Sequence, residues 1–171
     1  MKNNEAVFIS TSEEMTMEFG RFIGEHAENG LFIALIGDLG TGKTHFVQGL
    51  AKGLGINDVV SSPTFTIMNY YEGEIPLKHF DFYRLDTEED LYNIGWEEYS
   101  EGGVTVAEWA DMFPGLIPER AIYIYLSNKG TTEREVKVIW GEEAPDAITK
   151  EIEKYAIFTE ETKTSKYASC H

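Results

Sequence analysis

The sequence predicts an α/β fold, a three-layer sandwich in which helices flank a central, mostly parallel sheet with antiparallel additions. Three observations point there. Leu31-Phe32-Ile33-Ala34-Leu35-Ile36 is a continuous apolar run with no polar alternation, the pattern of a strand covered on both faces. Helical periodicity and apolar runs then alternate along the chain. Toward the end, residues 121–126 and 135–140 alternate as an antiparallel pair.

The elements follow in order. Ala6-Val7-Phe8-Ile9-Ser10 is a short strand. Thr11-Ser12-Glu13-Glu14 is a capping box, with Thr11 as cap and Glu14 closing it. The helix that follows runs to about His26, with Met15, Phe19, Phe22 and Ile23 on its apolar face, and Asn29-Gly30 stops it. After the long apolar run comes a glycine-rich loop, then a helix over 43–54 that Gly53 and Gly55 end. Residues 65–71 and 75–82 are two strands around the turn Glu72-Gly73-Glu74. Thr87 caps a further helix, with Asp90 closing the box. Val104-Thr105-Val106-Ala107 is a strand ending at Glu108-Trp109. From Pro145 an amphipathic helix puts Ile148, Ile152 and Tyr155 on one face. Residues 159–171 are polar and unpatterned, and a frayed tail is expected there, so that residues 1–158 form one domain.

Composition narrows the partners. The chain has 171 residues, enough for one well-buried core. Asp and Glu total 30 against 14 Lys and Arg, a formal net charge of −16. Direct binding to nucleic acid rests on many Lys and Arg contacts to phosphate, so this balance argues against the chain itself holding RNA or an anionic membrane. The single cysteine, Cys170, makes neither an internal disulfide nor a zinc cluster. A reducing, cytoplasmic setting is the expectation, with no signal-peptide stretch behind Met1 and no run near the roughly 20 apolar residues of a membrane span.

The chemistry concentrates in the loop Gly37-Asp38-Leu39-Gly40-Thr41-Gly42-Lys43-Thr44. Gly37, Gly42, Lys43 and Thr44 meet the Walker A pattern, with a buried strand before and a helix after it. Each residue type has a reason. Glycines let backbone N–H groups turn inward around phosphates. The helix N-terminus adds about half a positive charge. Lys43 can bridge the β and γ phosphates, and the Thr44 hydroxyl can ligate Mg²⁺. The fold is therefore of the P-loop NTPase type, and Mg²⁺ with ATP are the expected ligands.

Phosphoryl transfer with Mg²⁺ needs a carboxylate at a neighbouring strand end. Asp81, within His79-Phe80-Asp81-Phe82-Tyr83-Arg84, and Glu108, closing an apolar strand, are the candidates for metal and catalysis, beside Lys43. Ser61-Ser62-Pro63-Thr64-Phe65-Thr66 reads either as turn chemistry or as a switch whose Thr64 senses the γ-phosphate. Guanine recognition of the Asn-Lys-x-Asp kind is missing, because Thr131 follows Asn128-Lys129-Gly130.

Taken in order, these segments, with Val106-Ala107-Glu108-Trp109 and Glu133-Arg134-Glu135, resemble the TsaE (YjeE-type) family, the small ATPases of tRNA N6-threonylcarbamoyladenosine biosynthesis. The resemblance spans about Thr11 to Trp140. It implies ATP binding and weak intrinsic hydrolysis. It also implies action on a threonylcarbamoyl-transfer complex of TsaD with TsaB, which leaves tRNA contacted only indirectly. By position it makes Thr44 and Glu108 magnesium ligands, with Asp81 nearby. It makes Gly40, Thr41, Gly42, Lys43, Thr44 and His45 the phosphate loop, and sets Glu13 and Arg134 along the rest of the nucleotide pocket. The competing readings are a small-molecule or nucleotide kinase on the same fold, for which Arg21, Arg84, Arg120 and Arg134 are few, and a nucleotide switch without turnover.

Overall fold

The computed structural model describes residues 4–38, 40–61, 67–83, 85–93, 95–96 and 102–169. Leu39, the hydroxyl-rich turn at 62–66 with Thr64, Arg84 and Cys170 lie outside the described residues. Among the described residues seven strands make one sheet: β1 (Glu5–Ser10), β2 (Phe32–Ile36), β3 (Met68–Tyr71), β4 (Leu77–Asp81), β5 (Val104–Glu108), β6 (Ile122–Asn128) and β7 (Arg134–Trp140). Their spatial order is β1-β7-β6-β2-β5-β4-β3. The four central strands, β6, β2, β5 and β4, are parallel. β3 adds antiparallel at one edge, and β7 then β1 at the other. The helices are α1 (Glu13–His26), α2 (Lys43–Gly53), α3 (Glu88–Asn93) and α4 (Asp146–Ser169), with 3₁₀ turns at Ala110–Met112 and Pro114–Leu116.

The uninterrupted apolar run of β2 follows from its central place. Ile33 and Leu35 point into the core shared with α1, α2 and α4, where Phe19, Phe46, Leu50 and Ile152 are all buried. Phe32 and Ala34 point the other way, into a second core with Phe80, Phe82, Leu91, Trp96 and Leu116. Alternation by two sends successive side chains to opposite faces, and both faces are covered here. The α/β, mostly parallel architecture expected from the sequence is the one found.

Local details differ where tertiary contacts decide. The cap of α1 is Ser12, not Thr11. Ser12 is extended (φ −155°, ψ 164°) and its Oγ accepts from the Met15 N–H at 3.1 Å, while Thr11 turns toward the Met15 sulfur. At α3 the expected box is half built, with Asp90 accepting from the N–H groups of Thr87 and Asp86. The frayed tail expected from Thr159 is helix instead, since α4 continues to Ser169. No Gly or Pro falls between Asp146 and Ser169, so nothing in the chain stops it.

α1 and α2 pack at backbone distance. Gly20 and Gly24 on one helix face Gly49 and Gly53 on the other, each pair four residues apart. A Cβ at Gly49 would lie 1.9 Å from the Met17 carbonyl oxygen, and one at Gly20 would lie 2.2 Å from that of Phe46. This contact holds α2, whose start is the glycine-rich loop ending at Gly42. No helix among the described residues is long and apolar enough to cross a membrane.

Candidate functional site

The site is built from the carboxyl ends of β2, β4 and β5 and the start of α2. After β2 the chain turns through two left-handed glycines, Gly40 (φ 80°) and Gly42 (φ 95°), a conformation that costs a side-chain-bearing residue about 1–2 kcal/mol. Thr41 closes the loop, its hydroxyl donating to the Asp38 carbonyl at 2.8 Å. Gly37 admits no side chain, because a Cβ would come within 2.7 Å of the Leu126 carbonyl oxygen. Gly42 is the N-cap of α2 and supplies no side-chain bond. The first-turn N–H groups of Lys43, Thr44 and His45 therefore have no intrahelical partner. All three residues line one open cleft of about 830 Å³.

Lys43 is buried, and its ammonium sits between two groups, 3.9 Å from Glu108 Oε1 and 4.2 Å from the centre of the Trp109 ring. Glu108 ends β5 and Asp81 ends β4, and the parallel register sets them side by side. Asp81 Oδ1 accepts from the Tyr83 N–H at 2.9 Å. Burial pushes the Asp81 carboxyl above its usual range, the Tyr83 bond works against that, and the neighbouring Glu108 charge adds to the rise. The second oxygen of Glu108 meets His79 Nε2 at 2.5 Å. Trp109 takes a left-handed conformation (φ 57°), rare for a bulky residue, and its ring lies 5.0 Å from that of Tyr83.

The residues expected to hold nucleotide, metal or catalysis all line this cleft: Glu13, Gly40, Thr41, Gly42, Lys43, Thr44, His45, Asp81, Glu108 and Arg134. Glu13 and His45 meet across its mouth at 3.5 Å. Arg134 is engaged with backbone, donating to the Gly40 carbonyl at 3.2 Å and to that of Glu133 at 3.0 Å, so it braces the loop. The sequence reading missed Tyr83, Thr132 and His79 as site residues. His79 carried a signal, since it stands two before Asp81 and shares its face of the strand. The donors fit a Mg²⁺-triphosphate: unpaired helix N–H groups, one ammonium, one hydroxyl and two carboxylates at strand ends.

Comparison with known proteins agrees with this geometry. The family described as "Threonylcarbamoyl adenosine biosynthesis protein TsaE" matches residues 10–136. A protein of Treponema pallidum named tRNA threonylcarbamoyladenosine biosynthesis protein TsaE is 40% identical over 131 residues, covering 76% of this chain and 97% of its own. Its namesake in Bacillus subtilis is 39% identical, over 74% of this chain and 80% of its own. The crystal structure of Bacillus subtilis YdiB superposes with a TM-score of 0.74 at 29% identity, covering 91% of this chain and 98% of that one. With the family's pattern running from the end of β1 into β7, and so through every strand end that forms the cleft, this chain belongs to the TsaE family of threonylcarbamoyl adenosine biosynthesis proteins.

Proposed function

We propose that the cleft binds Mg²⁺-ATP and hydrolyses it in support of tRNA threonylcarbamoyladenosine formation, by acting on the TsaD–TsaB transferase complex. The observation that carries the reading is the uncapped start of α2, with Lys43 facing the paired strand-end carboxylates Asp81 and Glu108. The phosphates would lie against the free N–H groups of residues 43–45, and Lys43 would exchange its Glu108 contact for phosphate oxygen. Thr44 and Glu108 would hold Mg²⁺, with Asp81 next to them, and Glu13 and Arg134 would border the remainder of the nucleotide. When bound, the ion would supply neutralisation of the phosphate charge. Glu108 also orients the attacking water, and the Trp109 ring shields that end of the cleft. The chain is a weak ATPase alone, activated when the partner complex covers this open face. With a net charge of −16 it reaches tRNA only through that complex.

Glu108→Gln tests the assignment. The variant keeps the shape and loses the charge. ATP affinity, read from indole fluorescence, should change little, while hydrolysis in the presence of the partner complex should fall by about 10²-fold or more. Parental hydrolysis by this variant together with loss of hydrolysis in Asp81→Asn would move the catalytic role to Asp81. Parental rates in both would place the activating group on the partner.

A further inference from the structure

A glutamate has three side-chain torsions, so a carboxylate at a strand end needs a reason to present one particular oxygen to the cleft. On β4 and β5, His79 stands opposite Val106 and Asp81 opposite Glu108, which makes His79 and Glu108 diagonal neighbours on one face of the sheet. The histidine reaches across that diagonal. Its Nε2 lies 2.5 Å from Glu108 Oε2, while Oε1 remains on the Lys43 side of the carboxylate. A carboxylate oxygen only accepts, so Nε2 carries the proton of that bond.

The ring is buried, at 1% exposure, and its Nδ1 has no hydrogen-bond partner among the described residues. Burying an imidazole with one nitrogen unsatisfied costs free energy that an aliphatic side chain in the same place would avoid. Space-filling is therefore a poor account of a histidine here, and the bond to Glu108 is what the ring makes in return.

We infer that His79 is the positioning residue for Glu108: by donating from Nε2 to Oε2 it locks the carboxylate with Oε1 turned to the metal and the attacking water. The inference rests on the hydrolytic reading of the cleft.

Two substitutions separate positioning from packing. His79→Leu fills comparable space without a donor, and His79→Gln carries an amide N–H at similar reach. In single-turnover hydrolysis with the partner complex, His79→Leu should be slower by about 10–100-fold, the usual loss when the outer partner of a metal ligand is removed. Its affinity for ATP without Mg²⁺ should be unchanged, and His79→Gln should recover most of the rate. A second readout needs no turnover. The proton NMR spectrum of the nucleotide-free protein should contain a strongly deshielded imidazole N–H, absent in His79→Leu and moved upfield in Glu108→Gln. Absence of that resonance from the folded parental protein overturns the inference. So does a parental rate in His79→Leu, or a His79→Gln as slow as His79→Leu. In those cases the hydrolytic assignment still stands if Glu108→Gln is slow. A parental rate in Glu108→Gln removes both, since His79 would then have nothing to position.

Discussion

Asp81 illustrates how one side chain can serve a site and burden the fold. Its carboxyl is buried beside Glu108, and its pKa in the folded state lies above the usual 3.8. A raised folded-state value means that the native protein holds this proton longer than the unfolded chain does. Stability therefore falls as pH rises from the unfolded value through the folded one. Asp81→Asn has no proton to lose and retains an Oδ1 for the Tyr83 N–H. In nucleotide-free protein with chelator, it should melt above the parental protein at neutral pH, and the gap should close as the pH approaches the unfolded value. A lower melting temperature at neutral pH would mean that the attraction of His79 and Lys43 outweighs desolvation. Such a gain in stability with loss of activity is the usual exchange at functional carboxylates.

Among the elements, the α1–α2 pair controls the start of α2. Gly49→Ala places a methyl into the Met17 carbonyl, a backbone atom that cannot move aside. Overpacking of this kind costs about 1–3 kcal/mol or more, and the better helix propensity of alanine returns up to about 1 kcal/mol. The expected net loss of about 2 kcal/mol lowers the melting temperature by roughly 4–8 °C in a chain of this size. Since α2 must shift to relieve the clash, ATP affinity should fall with it. Gly130→Ala, with no described atom within 4 Å of its Cβ, is the control and should leave both unchanged. None of this contact was legible in the sequence, which marked the apolar face of α1 by Phe19 and Ile23 but gave no hint that four glycines meet across it. By contrast β2 was readable from six letters, because burial on both faces leaves no polar position. The same division holds in the site. Lys43, Thr44, Asp81 and Glu108 follow from motif and strand ends, which are local. The bond between His79 and Glu108 depends on the register of two strands far apart in sequence, and the choice of Ser12 over Thr11 as cap depends on a single residue's backbone angles.

For the molecule as a whole, charge is the dominant property. At −16 the isolated protein should bind tRNA weakly, if at all, at physiological salt. A tight gel shift with purified protein that weakens steeply with added salt would show that the chain itself holds RNA. In the cleft, helix N–H groups, Lys43 and Arg134 stand among the carboxylates of Glu13, Glu14, Asp81 and Glu108, so the means of holding an anion are local and set against the charge of the whole.

The pairing of β1 with β7 bears on how the chain is made. Ala6 lies opposite Val138 and Glu5 opposite Ile139, so β1 finds its ladder only after every other strand of the described sheet has been synthesised. The central strand β2 waits as well, for β5 on one side and β6 on the other. Until then Phe8 and Phe32 have no sheet to bury them, and the nascent chain carries apolar strands with open edges. Closing such distant contacts is slow. The cleft therefore cannot assemble before β5 has joined β2 and β4, and the sheet that carries it closes only with β7.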